Sequence, residues 1–286
     1  MRAYAPDYEL VTPDSLDATL RMLSREPGQW TPIAGGTDLM VLFEAGKLPR
    51  RRLINLRGLA ELQAIEASDS HIRIGALATY TELQRSRTIQ TEFPLLARAA
   101  SWTGAVATQN RGTLGGNLAN ASPAADSPPA LLVYDAEVEL RSVRGARRVP
   151  YATFHTGYKT TLLGPDEIIA GIHLPRTTDG SVQYLRKVGT RRAQAIAKVA
   201  LAGFAKVTGD VVDRVRIALA SVAPAPVRCF QTERVIAGQR ISGVVIEEAK
   251  KTLAAEIAPI SDIRSTESFR VAVSTNLLGE FLESLL

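Results

Sequence analysis

Two glycine pairs decide the fold of this chain: Ile33-Ala34-Gly35-Gly36-Thr37-Asp38-Leu39 and Thr113-Leu114-Gly115-Gly116-Asn117-Leu118. Each pair follows residues that favour a strand or a turn, and each precedes residues that can start a helix. Glycine at such a place lets backbone N–H groups approach a ligand that a Cβ atom would keep away. At the first turn of a helix, these N–H groups and the helix dipole favour a phosphate group. Two such loops in one domain therefore predict a ligand with two phosphates, or one too large for a single loop.

The composition is that of a folded protein without a membrane span. The chain has 286 residues and a mass of 30.8 kDa, enough for two domains or for one large domain with an appendage. Its hydrophobic fraction is 45%, which is typical of folded soluble proteins. No apolar run approaches the roughly 18–20 residues that cross a bilayer. Residues 1–7 lack the apolar segment of a secretory signal, so we expect a cytoplasmic protein.

Cysteine and histidine are too scarce for a metal centre. Cys229 is the only cysteine, which excludes an intramolecular disulfide and a cluster held by the chain's own thiolates. We interpret Cys229 as a buried apolar residue. The histidines His71, His155 and His173 lie far apart, and none belongs to a motif with ligand spacing. We predict that all three are structural and that the chain itself binds no metal.

The net charge of +5 favours an anionic cofactor or an acidic partner over nucleic acid. Basic residues number 34 against 29 acidic ones, and the pI is about 9.5. The basic clusters are residues 50–52, 147–148 and 191–192, and none is interleaved with aromatic side chains as a stacking platform for bases is. We therefore predict no nucleic-acid partner.

The first part of the chain predicts a small α/β unit. Leu16, Leu20 and Leu23 share one face of a helix that Ser15 can cap. A strand over 30–34, the first glycine loop, a helix over 38–45 and a strand over 52–56 follow. This strand–loop–helix–strand order implies a parallel pair. The usual nucleotide folds are disfavoured, because neither G-x-G-x-x-G nor G-K-[ST] occurs.

The rest of the chain predicts an α+β fold with a second lobe and a C-terminal domain. Strands are expected over 72–75, 136–141 and 167–174, with helices over 93–100 and from 127. Residues 177–180 mark a boundary, after which strands over 183–188, 196–207 and 212–221 precede three helices. We predict a first domain over 1–176, with lobes 1–56 and 57–176, and a second over 177–286. The glycine loops belong to different lobes, so a ligand is expected in the cleft between them.

Two further segments have two interpretations each. The polar segment 117–128 can bind hydroxyl or phosphate groups, or it can be a capping loop with Asp126 or Ser127 as helix N-cap. The segment 187–199 places Lys187 where it can face a phosphate or a reduced cofactor, or it is a solvated basic turn. We find no nucleophile–base pair, so we assign no catalytic residue and expect any activity to come from a bound cofactor.

Together these residues resemble the FAD-binding medium subunit of the molybdenum hydroxylases, the family of xanthine dehydrogenase and carbon monoxide dehydrogenase. The resemblance covers nearly the whole chain. It implies a pyrophosphate-binding first loop, a second loop that also contacts the flavin, an FAD-contacting aspartate, an apolar flavin contact and a cation near the isoalloxazine. The residues at these positions are, in that order, Ile33, Ala34, Gly35, Gly36, Thr37, Asp38 and Leu39; Thr113, Leu114, Gly115, Gly116 and Asn117; Asp126; Ile169; and Lys187.

The resemblance also implies an architecture and partners. The expected fold is the vanillyl-alcohol-oxidase-type (PCMH-like) FAD-binding fold, followed by the family's C-terminal flavoprotein domain. In the family, electrons from a large molybdopterin-binding subunit cross 2Fe–2S clusters on a small subunit and reach FAD, which passes them to NAD, oxygen or another acceptor. We therefore expect non-covalent FAD on this chain, molybdopterin and iron–sulfur clusters on partner subunits, and a hetero-oligomer.

Three departures limit this transfer. A cysteine-rich insertion with an extra cluster, found in some relatives, is excluded by the single Cys229. Ala195 stands where many relatives have an aspartate, so any contact of that carboxylate is missing. The chain is too short to contain the molybdenum and iron–sulfur parts. The alternatives are a stand-alone FAD-dependent oxidoreductase of the same fold and a non-catalytic nucleotide-binding scaffold subunit. The organic substrate and the acceptor stay open.

Overall fold

Three larger β-sheets with packed helices and one small hairpin make up the described part of the chain. The computed structural model describes residues 8–176, 180–191 and 194–286. The chain is an α+β protein with a first lobe, a central lobe and a C-terminal domain. The predicted boundary at 177–180 falls mostly outside the described residues, as does Arg192 of the basic segment.

The first lobe is a three-stranded parallel sheet in the order β1-β3-β2. Its strands are β1 (Glu9–Val11), β2 (Thr31–Ile33) and β3 (Arg52–Asn55), and its helices are α1 (Leu16–Arg25) and α2 (Leu39–Glu44). The Ser15 side chain accepts a hydrogen bond from the N–H of Ala18 at the start of α1, as its capping role requires. The predicted parallel pair is confirmed, because β2 pairs with β3.

The central lobe is built on a five-stranded antiparallel sheet in the order β4-β5-β10-β6-β7. Its strands are β4 (Ile65–Ala67), β5 (His71–Gly75), β6 (Glu137–Ser142), β7 (Gly145–Pro150) and β10 (Ile168–Pro175). A two-stranded hairpin consists of β8 (His155–Gly157) and β9 (Thr160–Thr161). The helices are α3 (Tyr80–Arg85), α4 (Arg87–Glu92), α5 (Pro94–Trp102), α6 (Val106–Gln109), α7 (Leu114–Asn120), α8 (Ser127–Val133) and α9 (Tyr151–Phe154).

Strand β10 belongs to two hydrophobic cores at once. Ile168 and Ala170 pack in the core of the first lobe, whereas Ile169 and Ile172 pack in the core of the central lobe. The even-numbered and odd-numbered positions exchange faces because the register shifts at a bulge between Ile169 and Gly171. The two lobes are therefore held together by one strand that is buried on both faces.

The C-terminal domain is an antiparallel sheet covered by helices. Its four strands, in the order β11-β12-β13-β14, are β11 (Val182–Val188), β12 (Val199–Thr208), β13 (Val211–Ala220) and β14 (Val227–Arg228). Its helices are α10 (Phe230–Ile236), α11 (Gly243–Glu256) and α12 (Glu267–Glu283). This order of antiparallel strands followed by helices confirms the sequence prediction.

A network of ion pairs joins the central lobe to the C-terminal domain. Asp135, which follows α8, pairs with Arg216 of β13 and with Arg228 of β14. Both guanidinium groups also donate to backbone carbonyls at the end of α8, those of Val133 and Leu132. These arginines therefore satisfy carbonyl groups that the end of a helix leaves without partners.

The prediction of a loop after the second glycine pair is wrong in part, because residues 117–120 belong to helix α7. The Thr113 side chain accepts the N–H of Gly116 and caps α7, which ends at Ala121 in the left-handed region with φ 49°. Glycine weakens an isolated helix, but here packing outweighs propensity, since Leu114, Gly115 and Leu118 are buried. The sequence also failed to predict several short elements, namely β1, β4, β8, β9, β14, α4, α6 and α9.

Candidate functional site

Both glycine loops line one cavity of about 450 Å³, which we call the glycine-loop cavity. Residues 34–39 line it from the first lobe, and Thr113, Gly115, Gly116 and Asn117 line it from the central lobe. The cavity thus lies between the two lobes, where we expect the ligand. Ile169, at the start of β10, contributes apolar lining to the same cavity.

The first loop presents a row of backbone N–H groups without protein partners. Within the described residues, the N–H groups of 34–39 donate to no protein acceptor. The side chain of Asp38, at the N-cap of α2, makes no capping hydrogen bond either. Successive N–H groups of this kind form a concave anion site, so this loop can bind a phosphate group through its backbone alone.

The second loop differs from the expectation of a matching row of N–H groups. The N–H groups of Leu114 and Gly115 donate to the carbonyls of Ala78 (2.9 Å) and Ala76 (2.8 Å). The N–H of Gly116 donates to the Thr113 hydroxyl at 3.1 Å. These three N–H groups are therefore not available to a ligand. The second loop can instead bind a ligand through the Asn117 side chain, because its buried Oδ1 atom has no partner among the described residues.

Gly35 and Gly115 allow close packing of the backbone rather than opening space for a ligand: Gly35 brings the first loop against the residues before the second, and Gly115 brings α7 against the turn after β5. A Cβ atom on Gly35 would lie 1.9 Å from the carbonyl oxygen of Arg111, just before the second loop. A Cβ on Gly115 would lie 2.5 Å from the Cβ of Ala76. Gly36 has a different role, because its φ of +76° lies in the region that side chains disfavour while its Cβ direction meets nothing closer than 3.5 Å.

Two of the predicted loop residues support the cavity from outside. Ile33 ends β2, where its carbonyl accepts the N–H of Leu56 at 2.9 Å. Leu114 is fully buried in the core of the central lobe. Neither is among the lining residues. Ile33 belongs to β2 and Leu114 to α7, so both residues hold the elements that carry the loops.

Asp126 and Lys187 form a buried ion pair beside the cavity and do not line it. The Lys187 ammonium donates to Asp126 Oδ2 at 2.8 Å and to the Trp102 carbonyl at 3.3 Å. The two side chains are 10% and 11% exposed. Burial raises the pKa of Asp126 to about 6, although the charge of Lys187 and its hydrogen bond act in the opposite direction. The second carboxylate oxygen, Oδ1, has no partner among the described residues.

Several lining residues carry no signal that sequence reasoning could use. Lys159 sits at the tip of the β8–β9 hairpin with φ 53°, and Tyr80 starts α3 after the capping box of Thr79 and Glu82. Both line the cavity, as does Glu167 before β10. Capping and turn signals give their local structure, but their approach to the glycine loops depends on contacts distant in sequence.

The residues present fit a long ligand with a pyrophosphate group. The unpaired N–H groups of 34–39 suit phosphate oxygens, and the Asn117 side chain suits a hydroxyl or an amide. Leu42, Leu77 and Ile169 provide apolar contacts for a ring system. A polar end, an apolar flank and a concave volume are the features of a cofactor site.

The described residues offer no competing metal or thiol chemistry. No group of three or more His, Cys, Asp or Glu side chains in the described ranges could hold a metal ion. Burial raises the pKa of Cys229 well above its usual value, so its thiol stays protonated. His71, His155 and His173 lie in strands β5, β8 and β10. No helix within the described residues is long and apolar enough to cross a membrane.

Known proteins match the chain over both of its predicted parts. Residues 6–177 match the family described as the FAD binding domain in molybdopterin dehydrogenase. Residues 184–285 match the family described as the CO dehydrogenase flavoprotein C-terminal domain. The fold inferred from the resemblance is thus supported on both sides of the expected boundary.

Individual relatives align over most of their length. The chain is 31% identical over 261 residues to the xanthine dehydrogenase FAD-binding subunit of Escherichia coli O157:H7, covering 90% of this chain and 88% of that protein. It is 28% identical over 268 residues to the glyceraldehyde dehydrogenase medium chain of Sulfolobus acidocaldarius, covering 93% and 94%. A solved structure of carbon monoxide dehydrogenase from Hydrogenophaga pseudoflava aligns with a TM-score of 0.92 at 27% identity and covers 96% of each chain.

Proposed function

Because this chain belongs to the family of FAD-binding domains found in molybdopterin dehydrogenases, we propose that it is the FAD-carrying subunit of a molybdenum-containing hydroxylase or dehydrogenase. When bound, FAD supplies the capacity to accept electrons and to pass them on. In this proposal the electrons come from iron–sulfur clusters on a small subunit, and they originate at molybdopterin on a large subunit. They leave to NAD or another external acceptor. We also propose that the chain divides into two domains at 176/177, the boundary that its sequence predicts.

One observation carries the proposal. Six consecutive backbone N–H groups, those of residues 34–39, donate to no acceptor among the described residues and line the same cavity as the second glycine loop. In the proposed complex these groups hold the pyrophosphate of FAD. Asn117 orients the ligand from the second loop through its side chain, and Ile169 contacts the flavin. Because all of these interactions are reversible and no thiol lines the cavity, we expect FAD to be bound non-covalently.

The chain's own residues bind and orient the cofactor and perform no bond-breaking step in this proposal. The relatives are named as subunits or medium chains of xanthine, glyceraldehyde and carbon monoxide dehydrogenases. Since these names differ in substrate while the subunit type stays the same, the substrate is best assigned to another chain. We therefore place the substrate chemistry on the large subunit and assign no catalytic residue to this chain.

Purification of the tagged chain from its own host tests the proposal. We expect an FAD spectrum near one flavin per chain, with all of the flavin released by acid or heat. We also expect a larger chain that contains molybdopterin and a smaller chain that contains iron–sulfur clusters to copurify. Flavin without these partners would contradict the subunit role and favour a stand-alone oxidoreductase. Absence of flavin from the native complex would favour a non-catalytic scaffold.

The ion pair of Asp126 and Lys187 is proposed to set the electrostatic field at the flavin. With both groups ionised 2.8 Å apart, the pair presents little net charge. Replacing Asp126 with asparagine leaves the Lys187 cation without its counter-charge, which favours a reduced, negatively charged flavin. We expect Asp126→Asn to raise the flavin midpoint potential, measured by spectroelectrochemistry. Asp210→Asn, at an exposed surface pair, is the control, and an equal potential in wild type and Asp126→Asn would contradict the role of the pair.

A further inference from the structure

A second cavity of about 460 Å³ lies on the outer face of the five-stranded sheet and shares no lining residue with the glycine-loop cavity. We call it the arginine cavity. Side chains alternate along the strands, so Ile72 and Ile74 of β5 pack into the core while His71 and Arg73 face outward. The outward positions of β6 and β10 that line this cavity are Glu139, Arg141 and His173.

Glu139 organises the cavity. This carboxylate is 5% exposed and accepts hydrogen bonds from Arg73 Nε (3.0 Å), Arg141 Nε (2.8 Å) and His173 Nε2 (2.9 Å). Burial alone would raise the pKa of Glu139, but the hydrogen bonds from His173 and Arg73 outweigh burial and lower that pKa to about 2. Glu139 is therefore ionised at every physiological pH and fixes the direction of three side chains at once.

The approach of Arg73 to Glu139 depends on Gly171 of β10. In β10, Gly171 is paired with Glu139 of β6 and lies two residues before His173, which is paired with Arg73 of β5. A Cβ atom on Gly171 would lie 3.2 Å from Arg73 Nε. The guanidinium of Arg73 thus lies across a strand position that has no side chain. The missing side chain at Gly171 and the hydrogen bond to Glu139 together fix the position of the Arg73 guanidinium.

Two guanidinium groups at the cavity keep donors without partners. Arg141 uses only Nε, toward Glu139, and its two terminal nitrogens donate to no acceptor among the described residues. Among the described residues, the carboxylate nearest to Arg148 of β7 is that of Glu137, at 3.9 Å. The Arg141 and Arg148 side chains are 41% and 48% exposed. Arg73, in contrast, is committed to Glu139 and to the Ala170 carbonyl.

The strand register leaves open space between these two groups. Arg148 is paired with Glu139 across the β6–β7 ladder, and Arg141 is paired with Ala146. Residues paired in this way project to the same side of the sheet. The small Ala146 side chain therefore leaves room beside Arg141, and this room lies on the same face as Arg148.

The surroundings favour an anion over a cation. Four arginines (73, 141, 147 and 148) and two glutamates (66 and 139) line the cavity, and Arg147 is paired with Glu167, which does not line it. No cluster of His, Cys, Asp or Glu in the described part of the chain could hold a metal. Burial lowers the pKa of His173, so its ring is neutral, and Nε2 must carry the proton that it donates to Glu139.

From this geometry we propose that the arginine cavity binds the phosphate group of a small molecule between Arg141 and Arg148. Guanidinium groups match phosphate through paired N–H donors. A concave volume of this size fits a small ligand better than the flat surface of a protein partner. The ligand is either inorganic phosphate or a phosphate monoester. This site is independent of the FAD site and of the proposed electron transfer.

Titration calorimetry on the flavin-loaded protein tests this site, because bound FAD keeps phosphate away from the first glycine loop. We expect saturable binding of inorganic phosphate at one site per chain. Arg141→Gln and Arg148→Gln should each weaken binding about tenfold or more, since each removes a charged hydrogen-bond donor. Arg234→Gln removes an exposed arginine of α10 and should bind like the wild type. A parallel titration with glycerol 3-phosphate shows whether the free ion or an ester binds more tightly.

A variant that keeps every charge separates the site from general electrostatics. Ala146→Leu fills the space beside Arg141 on an exposed edge strand, so we expect it to fold normally and to lose phosphate binding. No saturable phosphate binding by the wild type overturns the proposal. Wild-type affinity in both Arg141→Gln and Arg148→Gln also overturns it, and so does wild-type affinity in Ala146→Leu. Flavin content is the separate readout of the FAD proposal and should be unchanged in all of these variants.

Discussion

A methyl group at position 35 has no room, because the ideal Cβ position lies 1.9 Å from the Arg111 carbonyl oxygen. That oxygen is backbone, so relief requires the second loop to move away from the first. Gly115 meets a different neighbour, because its Cβ would lie 2.7 Å from the Ala76 carbonyl oxygen in the turn after β5. At the scale of single residues, Gly35 sets the distance between the two loops and thereby the width of the glycine-loop cavity.

Gly35→Ala should therefore affect both stability and flavin binding. We expect a loss of about 2 kcal/mol or more in the free energy of unfolding, as for other overpacked sites. FAD content should fall as well, because the loops that form the cavity are pushed apart. Urea unfolding and the ratio of flavin to protein absorbance measure the two effects.

Gly58→Ala is the matched control for that variant. Nothing lies within 4 Å of a Cβ atom at Gly58, and its φ is outside the left-handed region. We expect wild-type stability and flavin content in this variant. Wild-type behaviour of Gly35→Ala would mean that the two loops do not touch as described.

Asp126 should make the stability fall with rising pH. Its pKa is about 6 in the folded chain against an ordinary value of 3.8. The protonated form is therefore favoured by folding, so this contribution is complete below pH 3.8 and is lost as the pH rises through about 6. A shift of this size corresponds to roughly 3 kcal/mol. Unfolding free energies between pH 4 and 8 should fall less steeply in Asp126→Asn, and equal slopes in both proteins would contradict the shift.

At the scale of elements, local signals predicted most helices and strands. They did not predict which acceptors the backbone N–H groups of the loops bind. Helix α1 follows from Ser15 and the spacing of its leucines, and β10 follows from its apolar run. The second loop offers the same glycine pair as the first, yet its N–H groups donate to Ala76 and Ala78. Those acceptors come from the turn after β5, and no local pattern could identify them. The first loop differs, because its N–H groups donate to no acceptor among the described residues.

Helix α7 should depend on its cap at Thr113. The Thr113 hydroxyl accepts the Gly116 N–H at 3.1 Å, and the helix contains two glycines that weaken it. We expect Thr113→Ala to cost about 1 kcal/mol of stability, the usual value for loss of a helix cap. Thr113→Ser keeps the hydroxyl and should restore most of this loss in thermal unfolding. If serine and alanine destabilise equally, the cap is not the cause.

At the scale of the whole molecule, the sequence predicted the order of the lobes and the family, but not the contacts that fix their arrangement. Neither the composition nor the motifs predict that Arg216 and Arg228 of the C-terminal domain donate to backbone carbonyls at the end of α8. These contacts join residues distant in sequence. The pairing of Asp126 with Lys187 is of the same kind, since it links α8 to β11. Sequence reasoning assigned both residues to the site but could not pair them.

Arg228→Met should weaken the junction between the central lobe and the C-terminal domain. Arg228 and Glu233 are 8% and 11% exposed, so the variant leaves a buried carboxylate without its partner. We expect a loss of about 3 kcal/mol, in the range for breaking a buried ion pair, visible as a lower melting temperature in calorimetry. Arg240→Met breaks an exposed pair with Asp210 and should cost less than about 0.5 kcal/mol. Equal effects of the two variants would contradict the importance of the buried network.

The double burial of β10 has a consequence for synthesis on the ribosome. Ile168 and Ala170 complete the core that Leu16, Leu20 and Leu23 begin, so a nascent chain that stops after β3 cannot cover those leucines. Chains in this condition expose apolar surface and attract chaperones. We therefore expect the first lobe to fold only after β10 of the central lobe has been synthesised. A fragment of residues 1–60 should give the circular dichroism spectrum of an unfolded chain. The two lobes differ in architecture, yet they form a single unit of folding.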